Sequence, residues 1–144
     1  MILISGCLAG LRCRYDGKLL TYPAVREMIE STRIVIVCPE QLGGLATPRP
    51  ASQIVGGNGF DVLSGKARVI SEDGRDVTEN FIRGAEETLH IARLVDAERV
   101  ILKEKSPSCG VTKIYCNDQL IDGCGVTTAL LIREGYRVEP SGEE

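Results

Sequence analysis

The sequence predicts an α/β domain with a mainly parallel, Rossmann-like sheet that is flanked by helices and carries a small inserted β-hairpin. Two observations support this fold class. Aliphatic runs of strand length alternate along the chain with segments of helical periodicity, the order typical of a parallel sheet with covering helices. The chain of 144 residues is also long enough for one hydrophobic core, so we expect a single domain over residues 1–144.

Strands are predicted where aliphatic and β-branched residues form short, nearly continuous runs. The clearest runs are Ile2–Ser5, Arg33–Val37 and Arg99–Lys103, and a weaker one is Tyr136–Glu139. Continuous apolar character is typical of strands that are covered on both faces. We therefore expect these strands to form the central sheet.

The clearest helix lies between the second and third strands. Asp76 is predicted as its N-cap, with Glu79 completing a capping-box-like start. Tyr22–Ser31 predicts a shorter helix, and Val126–Glu134 predicts another that is closed by Gly135. The long helix is indicated by apolar residues at helical spacing, namely Val77, Phe81, Ala85, Leu89 and Ala92.

The segment Ile54–Ile70 predicts the inserted β-hairpin. It contains the string GGNG and a later Ser-Gly pair, which are turn signals. A phosphate-binding loop is not expected, because GGNG lacks the following lysine and the strand-to-helix context of such loops.

Composition excludes several classes of function. Hydrophobic residues make up 43% and charged residues 26% of the chain, as in a globular protein, and no apolar run suits a membrane span. The net charge of −3 provides no basic face for DNA. Six cysteines with no sign of secretion predict reduced thiols in the cytoplasm, used for metal binding or catalysis. We expect neither a DNA nor a membrane partner.

Three cysteines directly follow or closely succeed predicted strands. Cys7 follows the first strand in ISGCLAG, Cys38 follows the second in VIVCPE, and Cys109 lies in SPSCG after the third. The carboxyl ends of parallel strands meet at one edge of a sheet, where ligands bind in open α/β folds. Cys109 is expected in a polar loop without core packing, which makes a purely structural cysteine a poor explanation. The pattern predicts one metal centre with three thiolate ligands.

The other cysteines are weaker candidates for ligands. Each is compatible with an ordinary exposed thiol, because one lies on a charged loop and two lie in the predicted loops before the last helix. These residues are Cys13, Cys116 and Cys124.

The residues alone leave the identity of the metal open. Three thiolates suit a catalytic zinc with Glu40 of CPE as the carboxylate that moves protons. They equally suit a 4Fe-4S cluster with one iron free to act as a Lewis acid. The only histidine, His90, is expected on the surface of the long helix. Ser106 offers a hydroxyl on a turn that proline makes rigid.

Several motifs resemble those of the thiouracil desulfidase (TudS) family. They are ISGCLAGLRCRYDGK, VCPEQLGGLATPRP, GFDVLSGKARVISEDGRDVTENFIRGAEETL, LKEKSPSCG and GVTTALL. Their order and spacing follow that family over nearly the whole chain. The stretch VTKIYCNDQLIDGCG departs from the family pattern, so the edge of the pocket is expected to differ.

The resemblance implies a cofactor and a set of functional residues. It implies a 4Fe-4S cluster held by Cys7, Cys38 and Cys109, with Glu40 and Ser106 at the catalytic positions. It implies removal of sulfur from thiolated pyrimidines without redox chemistry, and Cys13 is not among the implied ligands.

Recognition of the base is expected to involve Tyr15 of RYDG and Arg49 of TPR, as substrate-binding or loop-bracing residues. The expected substrate is a small thiolated nucleobase or nucleoside, such as a 4-thiouracil-like base, which a water aligned by Glu40 would attack. Thiolated RNA is less favoured. The alternatives are a zinc-dependent nucleobase hydrolase or deaminase, and a non-enzymatic carrier of sulfur or iron-sulfur clusters.

Overall fold

The structure, a computed structural model, describes residues 1–142 and contains eight strands and five helices within that range. The strands are β1 (Ile2–Ser5), β2 (Ile34–Val37), β3 (Ser52–Val55), β4 (Arg68–Ser71), β5 (Arg99–Ile101), β6 (Lys113–Cys116), β7 (Gln119–Asp122) and β8 (Val138–Glu139). The helices are α1 (Pro23–Ser31), α2 (Pro39–Leu42), α3 (Gly59–Leu63), α4 (Thr78–Leu94) and α5 (Val126–Arg133).

The first sheet is parallel and has the strand order β2-β1-β5-β8. It contains the four predicted strands, although β5 ends at Ile101 rather than Lys103, and β8 starts at Val138 rather than Tyr136. β1 is fully buried, as its apolar run predicts. β2 is an edge strand and leaves Ile36 exposed, so the expectation of cover on both faces is wrong for that strand.

Side chains of β1 alternate between two hydrophobic clusters, one on each face of the first sheet. Leu3 packs in the larger cluster with buried residues of α4 and α5, including Phe81 and Leu131. Ile4 packs in the smaller cluster with Val25 of α1. Because successive side chains of a strand point to opposite faces, this short strand anchors both layers of helices.

α4 buries the predicted apolar face but begins one residue later than expected. Val77 is the N-cap, and the Asp76 carboxylate accepts hydrogen bonds from the N–H and hydroxyl of Thr78. His90 is exposed on this helix, which confirms its expected surface position. Within residues 1–142, no helix combines the length and apolar character needed to cross a lipid bilayer.

The inserted segment is more elaborate than the hairpin predicted over Ile54–Ile70. β3 and β4 do pair antiparallel, but the short helix α3 lies between them. Asn58 starts this helix, because its side chain accepts from the N–H groups of Phe60 and Asp61 while the Asp61 carboxylate accepts from the Asn58 N–H. GGNG is therefore the start of a capped helix and not only a turn.

A second sheet of mixed direction has the order β4-β3-β6-β7, and the sequence analysis did not predict its last two strands. β6 and β7 form an antiparallel hairpin in which Cys116 pairs with Gln119. The two turn residues, Asn117 and Asp118, both have positive φ, as a type I′ turn requires. Cys116 is thus a strand residue, and its predicted place in a loop is wrong.

Two glycines let α2 approach α4 closely. A Cβ atom on Gly84 would lie 2.0 Å from the Pro39 carbonyl oxygen, and one on Gly43 would lie 2.0 Å from the Asn80 carbonyl oxygen. The Asn80 amide also donates to the Gly43 carbonyl at 2.9 Å. This contact holds α2, and with it Glu40, against the long helix.

We expect Gly84→Ala to lower the free energy of unfolding by about 1–3 kcal/mol, because the added methyl group must push backbone atoms apart. The loss should appear even though alanine is the better helix former by about 1 kcal/mol. Chemical denaturation measures the change, and Glu86→Ala on the exposed face of α4 should stay within about 0.5 kcal/mol of the unsubstituted protein. Equal stability of the Gly84→Ala variant would contradict the close packing.

Candidate active site

The carboxyl edge of the first sheet carries the predicted cysteines. β1 and β2 end in register at Ser5 and Val37, so Cys7 and Cys38 follow at the same level. The Gly6 N–H donates to the Val37 carbonyl at 2.7 Å, and the Lys103 N–H donates to the Ser5 hydroxyl at 3.0 Å. These bonds join the loops after β1, β2 and β5 into one rim.

Cys13 lies among the predicted ligands. Its thiol is in hydrogen-bonding contact with the thiols of both Cys7 and Cys38, and the Cys38 thiol also lies 3.7 Å from the Cys13 carbonyl oxygen. Cys13 is buried, so the interpretation of this residue as an exposed thiol is wrong. Cys124 is also buried, although it lies outside the cavity described below.

Thiols at this rim have raised pKa values. Burial raises the pKa of Cys109 to about 12, although hydrogen bonds with Ser108 and Ser5 act to lower it. Contact with the Cys13 thiol and burial raise the pKa of Cys38. For Cys13 the Cys38 thiol lowers the pKa, but contact with Cys7 and burial outweigh this effect and raise it to about 11. Metal binding to these thiols must therefore release protons, as it does at other thiolate sites.

The carboxylate of Glu40 is held from both sides. On one side, Arg49 Nε donates to Glu40 Oε1 at 3.0 Å, and both side chains are largely buried. The other guanidinium nitrogens of Arg49 donate to the carbonyls of Ala46 and Cys13 and to the hydroxyl of Thr47. Arg49 thus connects the carboxylate to the loop that carries Cys13, which agrees with a loop-bracing role.

On its other side, Glu40 faces two serines of the SPSCG loop. The hydroxyls of Ser106 and Ser108 lie 3.4 and 3.1 Å from Glu40 Oε2. The Ser106 hydroxyl also accepts from the N–H groups of Ser108 and Cys109. The sequence analysis selected Ser106 but passed over Ser108, whose position inside a Ser-Pro-Ser turn gave no signal beyond turn formation.

The SPSCG loop packs into the core, so the expectation that Cys109 lies in an unpacked polar loop is wrong. Cys109 belongs to the larger hydrophobic cluster, and its carbonyl accepts from the buried Thr128 hydroxyl of α5. The Glu104 carboxylate accepts from the N–H groups of the three residues that follow the loop, Val111, Thr112 and Lys113. Tertiary contacts, rather than local sequence, bury this thiol.

These groups line one cavity of about 820 Å³ between the first sheet and β3, β4 and the β6–β7 hairpin. Tyr15 reaches the wall with a half-exposed ring, while its carbonyl accepts from the Arg49 N–H. Cys116 and Cys124 do not contribute to the lining. All residues selected from the sequence do, namely Cys7, Cys38, Cys109, Glu40, Ser106, Tyr15 and Arg49.

The thiols do not converge on a single point. Among the described residues 1–142, no group of three or more His, Cys, Asp or Glu side chains is arranged to hold one metal ion. A single zinc ion needs all its ligand atoms within about 2.3 Å of the metal. A 4Fe-4S cluster takes each thiolate on a different iron atom, so thiols spread around one cavity suit a cluster better than a single ion.

The fold and the cavity together define an α/β protein with a thiol-rich centre at the carboxyl edge of its parallel sheet. A family model described as 2-thiouracil desulfurase matches residues 2–143. The chain is 46% identical over 146 residues to a Bacillus subtilis (strain 168) protein described as the uncharacterized protein YbbK, with 99% of this chain and 97% of that protein covered.

Among solved structures, the chain resembles a 4Fe-4S-dependent thiouracil desulfidase, TudS, with a TM-score of 0.83 and 37% identity. The match covers 98% of this chain and 90% of the other. The chain belongs to the 2-thiouracil desulfurase family. The predicted family and fold class are confirmed, and the protein is an enzyme of the thiouracil desulfidase type.

Proposed function

We propose that this enzyme removes sulfur from a small thiolated pyrimidine by hydrolysis, with a 4Fe-4S cluster held by Cys7, Cys38 and Cys109. The observation that carries the proposal is the placement of these thiols with the Arg49-bound carboxylate of Glu40 in one cavity. The cofactor is supported by the solved 4Fe-4S-dependent relative and by the chemistry of the donors, which are all soft thiols. We place the reaction in the cytoplasm, where thiols stay reduced.

A cluster with three protein thiolates would supply one iron as a Lewis acid for the soft thiocarbonyl sulfur of the substrate. Glu40 would take a proton from the water that attacks the ring carbon, and Arg49 keeps this carboxylate oriented. Ser106 would donate its hydroxyl proton to the reacting group. Overall, water replaces sulfur on the carbon and hydrogen sulfide leaves, so no electron donor is needed.

The substrate is proposed to be a free base or nucleoside of the 4-thiouracil type. A cavity of about 820 Å³ has room for such a molecule beside a cluster. Tyr15 on the wall offers an aromatic face for the base. We do not favour thiolated RNA, because acidic residues such as Glu72 and Asp118 also line the cavity.

The direct test incubates anaerobically purified protein with 4-thiouracil or 2-thiouracil without added reductant. We expect sulfide and uracil in equal amounts. Two outcomes would contradict the proposal. One is deamination of cytosine by a zinc-containing preparation, and the other is transfer of an intact cluster to an acceptor protein while neither thiouracil is consumed.

The fourth thiol of the cavity provides a test of the ligand set. We expect Cys13→Ser to retain iron near the level of the unsubstituted protein, whereas Cys7→Ser and Cys38→Ser should lose most of it. The reason is that Cys13 contacts the other thiols but is not needed to complete a set of three ligands. Iron analysis of anaerobic preparations measures the difference. Equal iron loss in all three variants would make Cys13 a ligand.

A further inference from the structure

The hydroxyl of Ser108 lies at the centre of the polar groups of the cavity. Ser108 is 1% exposed, and its Oγ lies 3.1 Å from Glu40 Oε2, 3.0 Å from Ser106 Oγ and 3.4 Å from Cys109 Sγ. The proposed mechanism gives this residue no role. A buried hydroxyl that touches three functional groups calls for an account of where its single proton goes.

The hydrogen bonds of Ser106 determine the direction of the bond between the two serines. A serine hydroxyl has one proton and two acceptor lone pairs. Ser106 Oγ accepts from the N–H of Ser108 at 3.2 Å and from the N–H of Cys109 at 3.1 Å, which fills both lone pairs. Ser106 therefore donates to Ser108 and does not accept from it.

Ser108 in turn has its own proton to give. Its two available acceptors are the Glu40 carboxylate and the Cys109 sulfur. The carboxylate is the stronger acceptor and the nearer one, so Ser108 donates to Glu40. Glu40 then has Arg49 on Oε1 and Ser108 on Oε2. The Ser106 contact with Glu40, at 3.4 Å, is the longer of the two serine contacts.

We infer that Ser108 is a positioning residue that fixes the Glu40 carboxylate and leaves the Ser106 proton free to turn toward the substrate. The inference rests on the proposed function of this cavity. When the Ser106 proton leaves its bond to Ser108, Glu40 keeps both of its remaining donors. The arrangement separates two tasks, because one serine orients the carboxylate and the other faces the reacting group.

A double-mutant cycle tests the inference. Ser108→Ala should lower kcat by on the order of 10- to 100-fold while KM changes little, because a misplaced carboxylate weakens catalysis more than binding. Ser108→Thr, which keeps a hydroxyl, should restore most of kcat. In a Glu40→Gln background, Ser108→Ala should cost less than about 2-fold, because the two residues act through one interaction. A loss as large as in the single variant would overturn the inference.

Two further measurements keep the outcome independent of folding and of turnover. Thr88→Ala, which removes a buried hydroxyl bond of α4 outside the cavity, should leave kcat unchanged. Infrared difference spectra between the unsubstituted protein and Glu40→Gln isolate the Glu40 carboxylate band, and Ser108→Ala should shift that band. An unmoved band would overturn the inference whether or not thiouracil is consumed. A shifted band without desulfidation by the unsubstituted protein would contradict the proposed function alone.

Discussion

Cys109→Ser is expected to abolish both iron binding and desulfidation. This thiol is fully enclosed by the SPSCG loop and the larger hydrophobic cluster, so no solvent thiol can replace it. Serine is nearly the same size as cysteine and should keep the fold, but its alkoxide is too basic and too hard to act as an iron ligand. We expect iron and acid-labile sulfide to fall to background in anaerobic preparations, with activity lost in parallel.

The matched control for this variant is Cys116→Ser. Cys116 lies on β6 outside the cavity lining and should keep full iron content and activity. The interpretation would fail if Cys109→Ser retained a cluster, or if the control lost it to the same degree. Circular dichroism of both variants distinguishes loss of the ligand from loss of the fold.

Glu40→Gln should keep iron and lower turnover by about 10²- to 10⁴-fold, the usual effect of removing a general base. The glutamine amide matches the carboxylate in shape but cannot take a proton from water. Glutamine is preferable to alanine here, because truncation would leave the largely buried Arg49 guanidinium without its partner. Steady-state sulfide release and the visible spectrum, measured on one preparation, separate the two effects.

Asp76→Asn is the control for Glu40→Gln, because it also neutralises a carboxylate that is paired with arginine. Asp76 pairs with Arg68 at the start of α4, and neither residue lines the cavity. It should leave turnover unchanged. Turnover by Glu40→Gln within a few-fold of the unsubstituted protein would contradict a role for this carboxylate in moving protons.

The position of two thiols followed from chain topology alone. Cys7 and Cys38 come immediately after β1 and β2, and parallel strands place such residues at one edge whatever the details of packing. The long helix was equally accessible, because Phe81, Ala85 and Leu89 repeat at helical spacing and are buried. Local patterns that repeat over several turns carry strong structural information.

Other features depend on contacts between distant segments. Cys109 is buried because Thr128 of α5 binds its carbonyl, and Cys13 reaches Cys7 and Cys38 because Arg49 binds the Cys13 carbonyl. No local pattern predicts such contacts. By contrast, the β6–β7 hairpin had a signal that the analysis overlooked, the two-residue turn Asn117–Asp118 between alternating apolar residues.

The central claim is that the thiols at this sheet edge hold an iron-sulfur cluster at which a thiolated pyrimidine is hydrolysed. Metal and sulfide analysis of anaerobically purified protein, together with its visible spectrum, tests it most directly. We predict brown protein with about four iron atoms and four acid-labile sulfides per chain, as a 4Fe-4S cluster requires. Colourless protein with one zinc ion per chain and no labile sulfide would contradict the claim.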